Sequence, residues 1–207
     1  MEDYKIEPMY DYELECLNRV RLHPTLYTGK LGNGESPDDG IYVLVKKVLD
    51  WSIGEFLEVG DKIKIELKDK TISIRDYGIG LHHNMIDENV MVMRIKAHWS
   101  EDYTKFLLVP LYGPQLANAL SASFTIKTFR ERKTKRADFE RGKLVKEYDL
   151  ESTTERKGTY VEFTPDEEIF GHYRFRKEYI ETIIRNYSDN ISGVTFYFNK
   201  KKIVSEK

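Results

Sequence analysis

The sequence predicts an α+β protein: a two-layer sandwich of a mixed, mostly antiparallel sheet with helices on one face. Three observations carry this. Short segments alternate apolar and polar residues with period two and are joined by tight turns, as in KIKIELKD (62–69) and TISIRD (71–76). Two long stretches, 41–60 and 173–190, carry apolar residues at three-to-four-residue spacing. Helices interleave with hairpins rather than with single strands, so parallel crossovers are few.

In chain order, residues 1–18 form a polar arm leading into a short helix near Tyr12 to Arg21, which Pro24 ends. LGNGESPDDG (31–40) is a loop. The helix over 41–60 places Ile41, Val45, Val48, Leu49, Ile53 and Phe56 on one face, with Asp38 or Asp39 as N-cap and Gly60 as C-terminal stop. After the 62–76 hairpin come a helical pattern over 84–99, a mixed stretch over 98–115 and a short helix over 116–123. SFTIKTFRE (123–131), RADFERGKLVKEYDL (136–150) and GTYVEFTPD (158–166) read as three strands of a meander. The second amphipathic helix follows, and a strand pair turns at Asn199. With no internal repeat or linker, residues 1–207 are expected to be one domain.

Composition excludes several classes. The net charge of −2 gives no overall nucleic-acid signature. FRERKTKRADFERGKLVK (129–146) holds eight Lys or Arg, but Glu131, Asp138 and Glu140 are mixed in, so it reads as a solvated hairpin. The single Cys16 excludes an internal disulfide and favours a reducing, cytoplasmic setting. The N-terminus has no apolar signal core, and no apolar run suffices to span a membrane. His82 and His83 are adjacent but diverge, and zinc-ligand spacing is missing. P-loop and dinucleotide glycine motifs are also missing.

One motif remains. The strand 71–76 ends in Asp76, with glycines at Gly78 and Gly80. Read alone, D-x-G-x-G is either a tight turn or a ligand site in which the acid holds a group and the glycines let it come close. Its weight depends on the neighbouring blocks: VRLHPTLYTG (20–29), Val48-x-Asp50-x-Ser52-Ile53-x-Glu55, SIRDYGIGL (73–81), NALS (118–121) and KGTYVEFTP (157–165).

In this order and spacing, from about residue 19 to the end, these blocks resemble the N-terminal ATPase domain of the B subunits of DNA gyrase and topoisomerase IV. That is the gyrase branch of the GHKL superfamily, whose Bergerat fold matches the sandwich above. The resemblance implies that Asp76 accepts a hydrogen bond from the adenine amino group of ATP or ADP. It implies that Gly78 and Gly80 admit the purine, that Thr159 supports it, and that Val48, Ile74 and Val161 wall it. An ionised carboxylate only accepts, so it selects an amino over a keto group.

The departures concern the chemistry. Where the family carries a general-base glutamate and a magnesium-binding asparagine around Asp50, this chain has Lys47 and Trp51. A protonated lysine cannot take a proton, and an indole offers a donor where magnesium needs oxygen. Lys47 instead suits a phosphate charge. In the phosphate-binding segment VPLYGPQ (109–115), Gly113 is the position that still allows close backbone approach, and Pro114 removes a donor. Ile79 replaces the arginine between the two glycines, which leaves Glu55 without that partner. The family's catalytic lysine lies in a following transducer domain, which this chain is expected to lack.

The expected function is therefore adenine-nucleotide binding with hydrolysis impaired or lost, with no catalytic or metal residue assigned and magnesium dependence doubtful. The alternatives are a working ATPase domain of a divergent type II topoisomerase, drawing on acids such as Glu55 or Glu58, and a scaffold without nucleotide. Partners expected from the resemblance are a topoisomerase-like or other protein and a homodimer mate, with DNA contacted only indirectly.

Overall fold

The computed structural model describes residues 11–56, 61–86 and 113–205. β1 (Lys62–Lys68) and β2 (Thr71–Asp76) form the predicted hairpin, in register from Ile63 opposite Asp76 to Lys68 opposite Thr71. β3 (Ser121–Arg130), β4 (Lys133–Glu140) and β5 (Lys143–Glu147) follow as an antiparallel run, with a two-residue β6 (Glu151–Ser152) beside β4. β7 (Gly158–Pro165), β8 (Thr195–Phe198) and β9 (Lys201–Ile203) complete one sheet in the order β5-β4-β3-β7-β2-β1-β8-β9. The β1–β8 pair is parallel, and every other pair among these strands is antiparallel.

Two expectations are corrected here. Residues 136–150 are not one strand: Arg141 and Gly142 both take positive φ (49° and 82°), the geometry of a tight hairpin turn. Nor do the strands run as a simple meander, because β7 inserts between β3 and β2. That insertion brings Thr159 next to the end of β2. The turn at Asn199 is as expected, with positive φ at Asn199 and Lys200.

The helices are α1 (Asp11–Leu22), α2 (Thr25–Thr28), α3 (Gly40–Phe56), α4 (Pro114–Ala119), α5 (Glu167–Phe170) and α6 (Lys177–Asn190). α4 begins at Pro114, whose missing N–H is harmless in a first turn, and ends before Ser121. The helix expected over 116–123 is thus shifted towards its N-terminus, and Ser121–Ser123 belong to β3. Of the helical pattern over 84–99, the described part is one 3₁₀ turn at His83–Met85; residues 87–112 and Gly60 lie outside the described residues. Asp39 does not cap α3 with its side chain. It is buried, pairs with Lys30 at 2.9 Å, and accepts the N–H groups of Gly34 and Ser36 at 2.8 and 3.2 Å.

Strand alternation sends one face of the sheet inward. Across it, Phe198, Ile65, Ile74, Val161, Ile126 and Ala137 lie side by side and are buried. α3 covers this face with Ile41, Val45, Val48 and Leu49, all inaccessible to solvent, and α6 adds Ile180, Ile183 and Ile184. Burying one such side chain contributes about 1.5–3 kcal/mol. Arg21 of α1 anchors the far end, donating to Ala119 O at 2.7 Å and to the buried Asp166 at 2.6 Å. No described helix is long and apolar enough to cross a membrane.

Candidate nucleotide site

Asp76 is the last residue of β2 and points to the helix side, where it is 3% exposed. Its Oδ1 accepts two backbone N–H groups, from Gly78 at 3.0 Å and from Thr159 at 3.1 Å. The first bond makes the Asp-x-Gly turn that the motif suggested; the second comes from β7, 83 residues away. Oδ2 accepts no bond from the described residues. Burial pushes the Asp76 carboxyl up to about 6, against the pull of the two N–H groups and the nearby Arg75 charge.

Ile74, Val48 and Val161 are buried: Ile74 and Val161 are cross-strand partners, and α3 packs on β2 and β7. The Thr159 side chain is 1% exposed, and its Oγ1 has no hydrogen-bond partner among the described residues; the same holds for Ser52 Oγ on α3. Buried hydroxyls without partners are uncommon and call for a water or ligand.

The glycines have different reasons. Gly80 has φ +76°, and a Cβ there would sit 2.6 Å from Phe129 O and 3.1 Å from Gly158 O, so the protein's own backbone demands glycine. Gly113 has φ +51°, and a Cβ would meet Trp51 Cγ at 2.5 Å. The close approach at Gly113 is thus made by Trp51, which is half-buried.

The remaining predicted residues lie on α3. Lys47 is exposed. Asp50 is exposed and accepts the hydroxyl of Tyr187 on α6, so its carboxylate is turned to the α6 side. The side chain of Glu55 and all of Glu58 lie outside the described residues. Among the described residues no group of three or more His, Cys, Asp or Glu could hold a metal ion.

Three further residues at the site were assigned no role from the sequence. Arg75 donates to the carbonyls of Asp76 and Arg156 and lies 4.6 and 4.2 Å from the Tyr77 and Phe129 ring centres, so it fastens the end of β2. Thr128 donates to Leu81 O at 2.7 Å and Arg130 to Gly80 O at 3.2 Å, which fixes the Gly80–Leu81 loop. Their only local signal is a polar residue near the end of a strand.

No family model matches the chain. It is 36% identical over 188 residues to the B subunit of DNA topoisomerase 4 from Borreliella burgdorferi, covering 90% of this chain and 31% of that protein. It is 28% identical over 213 residues to the B subunit of DNA gyrase from Thermotoga maritima, covering 97% of this chain and 32% of that one. The structure superposes on the 43K ATPase domain of Thermus thermophilus gyrase B, solved with an aminocoumarin, with a TM-score of 0.71 and 26% identity. That match covers 93% of this chain and 52% of the other.

The chain is a homologue of the GHKL-type N-terminal ATPase domain found in the B subunits of gyrase and topoisomerase IV.

This homologue spans about a third of the length of the curated relatives it matches. The match agrees with the mixed sheet and its helices.

Proposed function

We propose that this gyrase-B-like chain binds an adenine nucleotide, ATP or ADP, and hydrolyses it poorly or not at all. The carrying observation is the Asp76 carboxylate, with Oδ1 held by two N–H groups and Oδ2 left open in a buried setting. Such an acceptor fits the adenine amino group, and the unpartnered Thr159 hydroxyl beside it fits a water or ring nitrogen. Val48, Ile74 and Val161 supply apolar walls for the base.

Impaired hydrolysis rests on α3. Lys47 and Trp51 stand where the resemblance implies a base and a magnesium ligand, and neither side chain suits those tasks. Asp50 is engaged by Tyr187. Lys47 and Trp51 offer no oxygen ligand for a magnesium ion. The relatives further suggest a topoisomerase-type protein partner.

Calorimetric titration with ADP and ATP, with magnesium and with chelator, tests the reading. Binding without magnesium, lost in Asp76→Ala, is expected, with no release of phosphate. A failure to bind either nucleotide at millimolar concentration overturns the binding claim. Magnesium-dependent phosphate release that disappears in Asp76→Ala overturns the claim of lost hydrolysis.

A further inference from the structure

The outer face of the sheet carries no helix among the described residues, and its side chains are sorted by register. One residue away from the buried apolar row, Tyr197 stands beside Lys64, Lys64 beside Arg75, and Arg75 beside Tyr160. Tyr160 stands beside Lys127, and Lys127 beside Arg136. Beyond Arg136 the Tyr148 N–H donates to its carbonyl, and the Arg136 guanidinium lies 4.9 Å from the Tyr148 ring centre. Reading across the strands, two cations separate each tyrosine from the next. At about 4.8 Å per strand, tyrosines recur every ~14 Å.

No carboxylate falls in this row. Glu66, Glu162 and Asp138 lie in the next one, two residues along each strand, where Ser73 and Thr125 fill the gaps. Three bonds tie the rows: Tyr160 donates to Glu162 at 2.6 Å, Arg136 to Asp138 at 2.7 Å and Tyr148 to Asp138 at 2.9 Å. They hold the Tyr160 and Tyr148 rings and the Arg136 guanidinium in place. On the other side, Lys62 and Lys64 lie 4.6 and 5.5 Å from the Tyr77 ring centre. A chain with net charge −2 thus presents a continuous band of cations and aromatic rings.

We propose that this outer face docks single-stranded nucleic acid. Phosphates would meet Lys64, Lys127 and Arg136, while Arg75 stays committed to the Asp76 and Arg156 carbonyls. Bases would stack on the tyrosines, displacing lysines such as Lys127, whose Nζ rests 5.4 Å from the Tyr160 ring centre. The charge pattern suits a polyanion, and the interleaved rings favour unpaired bases over a duplex, whose bases are already stacked. The six strands from Tyr197 to Arg136 span about 24 Å, room for a site at the short end of the roughly 4–16 nucleotides of single-strand binders. The surface lies on the opposite face of the sheet from the Asp76 side chain and does not depend on nucleotide binding.

The test is fluorescence anisotropy of a labelled oligothymidylate of about 20 nucleotides with the full chain, between about 50 and 200 mM salt. Saturable binding is expected, with log affinity falling against log salt at a slope of about −2.1 for three phosphate contacts. Lys64→Gln with Lys127→Gln should reduce that slope by about 1.4. Tyr160→Leu should weaken binding roughly tenfold and leave the slope unchanged, while Tyr160→Phe retains it. Asp76→Ala should bind the oligonucleotide like the parent, and unchanged melting temperatures show that the variants fold. Absence of binding at the lowest salt overturns the proposal. So does binding insensitive to both the lysine and the tyrosine changes, or duplex and polyglutamate competing as well as the single strand.

Discussion

Asp76 and Asp50 are both tied to the candidate site by the sequence, and the fold treats them in opposite ways. Asp76 is buried at a strand end, held on one oxygen by two backbone N–H groups, with its ionisation suppressed by burial. Asp50 lies exposed on α3, tethered by the hydroxyl of Tyr187. A fixed acceptor in a low-dielectric setting discriminates between ligands; an exposed carboxylate on a tyrosine tether contributes mainly to helix packing. A fixed acceptor with one open oxygen is thus built into the sheet, whereas the Asp50 carboxylate on α3 is engaged by α6.

The largest expected effect comes from Asp76→Asn. Removing the ionised acceptor should lower ADP affinity roughly 100-fold or more by calorimetry, since charge-assisted hydrogen bonds are the stronger class. The same change should stabilise the free protein at pH 8. The carboxyl is raised from 3.8 to about 6 in the fold, so its contribution to stability is fully present below about pH 4 and is lost as pH rises through 6. That loss is up to about 3 kcal/mol. Denaturant melts at pH 5 and pH 8 should show this dependence in the parent and not in Asp76→Asn. Nucleotide affinity should fall about tenfold per pH unit below 6 as the acceptor is protonated. An affinity flat from pH 7 to 5 would remove Asp76 from the site.

A smaller effect is expected at Gly113→Ala. The added Cβ meets Trp51, and φ is already positive, so a destabilisation of about 1–3 kcal/mol is expected by thermal melting. Trp51→Ala in the same chain should recover part of it, a non-additivity that fails if Trp51 is not the group in contact. The smallest effect is Tyr187→Phe. It should lower stability by no more than about 1 kcal/mol, because the Asp50 bond is exposed, and leave ADP binding unchanged. A large loss of nucleotide affinity there would place Asp50 in the site after all.

The hairpin 62–76, both amphipathic helices and the turn at Asn199 were legible because each is a local pattern in side-chain period or turn chemistry. The split of 136–150 was less legible, since Arg141 adopts a left-handed conformation that its residue type does not advertise. Asp76 and Gly78 could be paired from the motif. The second N–H on Asp76 could not, because Thr159 reaches it only when β7 inserts between β3 and β2. The reason for Gly80 also lay in a distant strand, as the carbonyl of Phe129 fills the space a side chain would need.

The sequence by itself determined the periodicities, and so which residues face inward, and it placed an acid and two glycines at the end of one strand. Only the tertiary structure decided what those residues meet. It buried Asp76 under α3, turned Asp50 towards α6, and set Trp51 against Gly113. It also assembled the band of tyrosines and cations, whose members come from strands scattered between Lys64 and Tyr197. Net charge and local composition average over such a pattern. Strand register does not, because a shift of one residue would send every one of those side chains to the other face.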